Sequence, residues 1–200
     1  MENPPTLSRH ARRRAQTRKL LVDSALRLVL ERGYESISIQ DITDLADLGR
    51  GTFYIHFKDK EDAVWAAFQD QFQQLEQYAH RKLDRQMPQV EYYGLLNMFE
   101  HAARNRDIYR VMFGSQGSSR LAIRAQDFLV DVFLYDIRNA PPDTERGFNL
   151  PHEFEAQLLA GMLSRLFYWW LETDNGYSAE QMATMTYKVL YRKMPPARSG

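Results

Sequence analysis

Leu48-Gly49-Arg50-Gly51-Thr52-Phe53-Tyr54-Ile55-His56-Phe57-Lys58-Asp59-Lys60 is the stretch on which the reading of this chain turns. It reads as a short helix from Arg50 to His56, entered through a tight turn at Asp47-Leu48-Gly49 and left through a basic turn. Gly49 and Gly51 open that helix, where each costs on the order of 1 kcal/mol against Ala. Glycines placed there let backbone approach something closely. Phe53 and Phe57 are spaced to anchor the helix in a core, and the other side chains form a compact charged and hydrogen-bonding face.

The flanks carry strong helix signals. Ser38 predicts an N-cap with Asp41 as its reciprocal partner, and Ile37 with Ile42 predicts a hydrophobic staple. The helix they start runs through Leu45 and Ala46. Further upstream, Leu21, Ala25, Leu28 and Val29 recur at helical spacing from about Arg9 onward. Gly33 stops that helix. Downstream, Asp59 predicts an N-cap, with Glu61 and Asp62 suited to a helix start. Ala63, Ala67 and Phe68 open an amphipathic stretch running to about Gln86, and Pro88 breaks it.

Two short helices joined by a tight turn are most often a packing unit. Here the second one carries a face that suits the major groove of duplex DNA. Arg50 can pair bidentately with a guanine edge, and Thr52 and Ile55 can offer methyl groups to thymine. Tyr54, His56 and Lys60 suit phosphate oxygens. Backbone N–H groups at the helix start suit phosphate as well.

Charge is unevenly spread. The net charge is zero, yet residues 1–20 hold six basic residues (Arg9, Arg12, Arg13, Arg14, Arg18 and Lys19) against the single acid Glu2. A neutral chain with a basic end has either a local nucleic-acid footprint or a merely soluble tail. On the first reading, the Arg12–Arg18 arm adds phosphate contacts or dips into the minor groove.

With these residues in view, the chain resembles TetR/AcrR-family transcriptional regulators over residues 17–62. The matching pieces are Thr17-Arg18, Ala25 to Leu28, Glu31-Arg32-Gly33-Tyr34, Ser38-Ile39-x-Asp41-Ile42, Leu48-x-x-Gly51-Thr52-Phe53-Tyr54-x-His56-Phe57 and Lys60-Glu61. With no clearly alternating strand, the chain reads as all-α with about nine helices, and the resemblance implies a three-helix DNA-binding domain followed by a larger helical ligand-binding and dimerisation domain. Residues 1–8 would be a disordered tail, 9–60 a helix-turn-helix DNA-binding domain, 61–194 a ligand-binding and dimerisation domain, and 195–200 a tail. Together with the groove argument, it implies a DNA-facing set of Arg18, Ser38, Gln40, Arg50, Gly51, Thr52, Tyr54, Ile55, His56 and Lys60. Two departures stand out. Gly49 replaces the family's commoner Ser, which removes a side-chain cap and a phosphate donor. Asp47-Leu48 stands where a Gly is commoner, so a slightly altered turn is expected.

The second half follows from patterning. Val90 to Asn105, Asp107 to Phe113, Ser118 to Asn139, Pro151 to about Thr173 and Ser178 to about Lys193 read as helices, with a loop from Ala140 to Asn149. Ser178 and Gln181 predict another cap. Leu158 to Leu171 is apolar nearly all round, with Arg165 its only charge, so neither side suits water. A two-fold interface with a second subunit is one reading, built from Leu158, Gly161, Met162, Arg165, Trp169, Met182, Met185 and Val189. A buried core helix in a monomer is the other. Tyr93, Phe99, Met112, Phe113, Phe128, Phe167 and Tyr168 are candidates to line a pocket for a small lipophilic or aromatic effector. For any one of them ordinary core is the plainer reading.

Several classes are disfavoured. There are no cysteines, so disulfides and thiolate metal sites are out, and a cytoplasmic protein is expected. No uncharged apolar run approaches the span of a membrane. His80, His101 and His152 are too scattered for a metal site. No nucleophile elbow, phosphate-cradling loop or cofactor fingerprint is found, so no catalytic residue and no cofactor is expected. The expected function is a homodimeric regulator, a repressor released from a palindromic operator by its effector. A DNA-binding regulator controlled by a protein partner is the alternative, with a helical carrier or enzyme behind it.

Overall fold

The computed structural model describes residues 8–82, 90–140 and 150–191. Among these residues the chain is all-α, with nine helices and one 3-10 turn. The helices are α1 (Arg9–Arg32), α2 (Ile39–Leu45), α3 (Arg50–His56), α4 (Lys60–Lys82), α5 (Val90–Arg104), α6 (Arg106–Phe113), α7 (Ser119–Arg138), α8 (His152–Glu172) and α9 (Ala179–Tyr191). The 3-10 turn is Tyr34–Ser36. The expected end of α4 near Gln86, the break at Pro88, the loop from 141 to 149 and the tail from 195 to 200 lie outside the described residues. No helix among the described residues is long and apolar enough to cross a membrane.

Local signals start and stop these helices. Ser8, expected in the tail, instead caps α1, its Oγ accepting from the Ala11 N–H at 3.2 Å. Gly33 ends α1 at φ +80°, its N–H donating to the Val29 carbonyl at 2.8 Å. Ser118 caps α7 by accepting from the Leu121 N–H at 3.1 Å. Ser178 and Gln181 cap each other across the start of α9, at 2.8 and 3.2 Å.

The chain forms two compact units, residues 1–69 and 70–200. The first therefore takes in the opening of α4 as well as α1 to α3. Ala63, Val64, Trp65, Ala66, Ala67 and Phe68, which lie in that opening, are all buried, and the unit ends nine residues after the expected limit at Lys60. Leu21, Val22, Ala25, Leu28, Val29, Ile42 and Phe53 complete that unit's core.

In the second unit α7 packs along α8, α5 along α9, and α6 against both α7 and α8. Arg106 ties α6 to the end of α8, its Nη2 donating to the Leu171 carbonyl at 2.6 Å. The loop after α6 folds back so tightly that a Cβ at Gly117 would collide with the Val111 carbonyl.

Candidate nucleic-acid interface

The site starts from the cap of α2. The Ser38 Oγ accepts from the Asp41 N–H at 3.2 Å, and the Asp41 carboxylate accepts from the Ser38 N–H at 2.8 Å. Hydrogen bonds from Ser38 hold the Asp41 carboxyl below the usual carboxylate range, helped by Arg32 at 3.6 Å. Ile37 and Ile42, the expected staple pair, are both buried. α2 thus leaves the core at a fixed angle.

The turn into α3 keeps a left-handed residue without glycine. Asp47 takes φ +53°, and the Leu48 N–H donates to the Thr43 carbonyl at 2.9 Å. Asp tolerates this region better than most side chains. Asp47 thus makes the left-handed step that a glycine would make more easily.

α3 presents what its sequence suggested. Phe53 is fully buried and meets Phe57 with ring centroids 5.7 Å apart. Arg50, Gly51, Tyr54 and Ile55 are exposed, Ile55 at 67%. Thr52 and His56 are half-buried at the edges of this face. A Cβ at Gly49 or Gly51 would meet nothing within 4 Å, and neither has positive φ. Internal packing therefore does not demand either glycine.

Three further candidates are engaged inside the unit. Gln40 donates from Nε2 to the Asp44 carboxylate at 2.6 Å. Arg18 stacks over the Phe57 ring at 5.7 Å. Lys60, expected to grip phosphate, donates instead to the Tyr34 carbonyl at 2.8 Å and the Ile37 carbonyl at 2.9 Å, with its ammonium 4.3 Å from the centre of the Tyr34 ring. Two of its three N–H donors thus hold the segment between α1 and α2. Spacing along the chain could not show this, because the carbonyls lie 23 and 26 residues upstream. His56 is pushed below its ordinary value by desolvation first, then by Arg14 and Arg18. Arg14 and Arg18 of α1 thus lie near enough to the end of α3 to disfavour a charge on His56.

The expected pocket residues do not converge as one set. Phe167 meets Phe99, Tyr109 and Phe113 at centroid distances of 5.4, 5.1 and 5.5 Å, and Met112 is fully buried. Phe128 packs edge-on against Phe72 at 4.5 Å, and Tyr93 packs against Tyr92. Tyr168 is exposed beneath Arg165, because adjacent helical positions point apart. The outward apolar set is also redrawn. Leu158, Arg165, Trp169, Met185 and Val189 are exposed, and Gly161 and Met162 are half-buried. Met182 is 1% exposed and belongs to the core, while Phe154, Tyr168 and Tyr177 join the exposed group.

Sequence reasoning missed one buried polar chain. His101 lies between the Tyr109 hydroxyl and the Gln71 carbonyl, 3.0 Å from each. A carbonyl only accepts, so Nε2 carries the proton and Nδ1 accepts from Tyr109.

Comparison with known proteins assigns the class. Residues 21–65 match the family described as bacterial regulatory proteins, tetR family, and residues 92–192 match a transcriptional regulator C-terminal region. The chain belongs to the tetR family of bacterial transcriptional regulators. It is similar to the transcriptional repressor DhaR of Mycobacterium sp. strain GP1, 36% identical over 78 residues, or 38% of this chain and 39% of DhaR. It is equally similar to the transcriptional regulator AcrR of Shigella flexneri, 36% identical over 74 residues, or 35% of this chain and 34% of AcrR. The matched stretch is thus well under half the length of these relatives. The fold is shared with the fatty acid degradation regulator FadR of Bacillus halodurans (TM-score 0.69, 15% identity, 94% of this chain and 96% of that one). NalD of Pseudomonas aeruginosa, the secondary repressor of a multidrug efflux pump, is also similar in fold (TM-score 0.68, 17% identity, 90% and 98% covered).

Proposed function

We propose that this chain is a homodimeric repressor that binds a near-palindromic DNA operator through α3 and leaves it when a small lipophilic or aromatic effector binds the second unit. The observation that carries the DNA reading is the outward face of α3. Arg50, Gly51, Tyr54 and Ile55 stand in solvent on a helix anchored by Phe53, and two glycines there serve no internal packing. An exposed guanidinium, a phenol and a branched methyl surface match guanine edges, phosphates and thymine methyls in turn. Ser38, Gln40, Thr52 and His56 border that face and take phosphate or sugar contacts. Lys60 keeps one free N–H donor and acts mainly by holding the domain's shape.

Dimerisation is supported by the exposed apolar residues Leu158, Trp169, Met185 and Val189, which suit a second copy of the same surface. Two copies of α3 would then read half-sites about one helical turn or more apart. The effector must bind the DNA-competent and DNA-free states with different affinity, or it shifts nothing. A second reading, control by a protein partner without a small-molecule pocket, is favoured by the ring-on-ring packing of Phe99, Phe113 and Phe167.

The test is selection of purified protein on a random duplex pool at two salt concentrations. A palindromic consensus is expected. A folded protein that enriches no sequence would overturn the operator reading.

A further inference from the structure

Helix α5 has a closed side and an open one. On the closed side Phe99 is fully buried, its ring centroid 5.4 Å from that of Phe167 and 5.6 Å from that of Trp170. The other side carries Tyr93, Gly94, Asn97 and His101, whose spacing puts them on one helical face. That face looks toward α4, because His101 Nε2 donates to the Gln71 carbonyl at 3.0 Å. Burial deepens along it. Tyr93 and Gly94 are half-buried, while Asn97 and His101 are buried.

Packing leaves two features of this face unexplained. Asn97 is 6% exposed, and its Oδ1 is shut off from solvent with no hydrogen-bond partner among the described residues. One turn earlier, a Cβ at Gly94 would meet nothing within 4 Å. An acceptor sealed from water without a donor is destabilising, and native folds keep few of them. His101 cannot serve Asn97, because its two ring nitrogens are engaged by Tyr109 and Gln71. Protonation gives no relief either. The Glu155 carboxylate, whose Oε2 is also buried without a partner among the described residues, can take up a proton, whereas a carboxamide cannot.

We propose that the Tyr93–His101 face of α5 binds a small aromatic compound carrying a hydroxyl group, with Asn97 as its polar anchor. This rests on, and deepens, the proposal that the second unit takes a small lipophilic or aromatic effector. A hydroxyl suits the amide, because it donates to Oδ1 and accepts from Nδ2. The space over Gly94 receives the ring. Tyr93 and His101, at i−4 and i+4 from Asn97, supply rings on either side of the anchor. The half-buried end at Tyr93 is the way in, and the buried end is where the hydroxyl stops. A compound without a hydroxyl leaves Oδ1 with no donor, so the site discriminates against it.

The experiment measures binding of two matched pairs to the full chain by calorimetry. The pairs are phenol with anisole, and 2-naphthol with 2-methoxynaphthalene. Methylation removes the donor and keeps the ring. The wild type is expected to bind each hydroxyl compound about tenfold more tightly than its ether. Asn97→Leu nearly keeps the volume and removes the acceptor. In it the ratio falls to about one, and the unliganded variant melts about 2–4 °C above wild type. Gly94→Leu fills the space over the helix with a better helix former, so it should fold and bind none of the four compounds. This second variant tests the site even if Asn97→Leu does not fold. Equal affinities within the pairs, or binding untouched by Gly94→Leu, would overturn this site and leave the effector reading standing. A folded wild type that binds none of the four compounds would overturn the site and the small aromatic effector together.

Discussion

Helices α3 and α8 both turn large apolar side chains outward, and they are built in opposite ways. α3 has seven residues, too few to be stable in isolation. Phe53 and Phe57 anchor it from one side. Its outward Tyr54 and Ile55 alternate with Arg50 and Thr52, which makes a face of mixed chemistry. α8 has 21 residues and is apolar on two sides. Leu163, Phe167 and Trp170 fill the core, while Phe154, Leu158, Tyr168 and Trp169 face outward with Arg165 as the charge among them. A mixed face suits a groove lined by bases and phosphates, whereas an apolar face suits another apolar face. The same property, exposed hydrophobic surface, therefore points to different partners.

This contrast breaks most sharply at its anchors. Phe53→Ala should cost about 3–5 kcal/mol of stability, read by chemical denaturation, because the ring is fully buried. Tyr54→Ala, one residue along, should stay within about 0.5 kcal/mol. If both cost the same, α3 is not anchored as described. On α8 the expectation reverses, with an outward residue carrying the effect. Trp169→Ala should weaken self-association by about 2 kcal/mol or more, seen as a concentration-dependent shift in sedimentation, with the fold retained. A dimer insensitive to this change would remove the outward face of α8 from the interface.

The two regions were not equally legible in the sequence. The Ser38–Asp41 cap, the burial of Ile37 and Ile42 and the limits of α3 all follow from local rules, and each appears in the structure. Local rules fail where the partner is distant. Nothing near Lys60 reveals that its ammonium bonds carbonyls 23 and 26 residues upstream. In the second unit, helices could be bounded by Gly, Pro and Ser, but the role of each aromatic could not be assigned. Phe167 and Tyr168 are adjacent in sequence, yet one is core and the other is exposed. Met182 and Val189 lie on one stripe of the helical pattern, yet they stand at 1% and 70% exposure. Which neighbour covers a residue is a tertiary fact.

Two substitutions sharpen the division within the first unit. Lys60→Met should destabilise the fold by about 2 kcal/mol, because it strands the Tyr34 and Ile37 carbonyls. A variant of wild-type stability that only binds DNA less tightly would return Lys60 to the phosphate set. Arg50→Ala should leave stability unchanged, weaken operator binding by about 1–3 kcal/mol and relax preference at one base position. An unchanged base preference would remove Arg50 as a reader.

The smallest expected effect separates the units by pH. His101 is buried, and desolvation holds it below its ordinary value, with Arg104 adding to this and the bond to the Gln71 carbonyl opposing it. Below about pH 6.5 the unfolded chain therefore binds a proton that the folded chain refuses. The stability this represents is present above that pH and is lost as pH falls through the lowered folded value. Tyr109 cannot relieve it by ionising, because full burial pushes its hydroxyl far above the ordinary phenol range. His101→Gln should flatten the pH dependence of stability between about pH 7.5 and about pH 5.5. His56 is lowered for a similar reason but is partly open to solvent, so His56→Gln should flatten it less. Denaturation curves with the same pH dependence in wild type and His101→Gln would mean that the Tyr109–His101–Gln71 chain opens readily to water, and that the second unit is less tightly closed than its aromatic packing indicates.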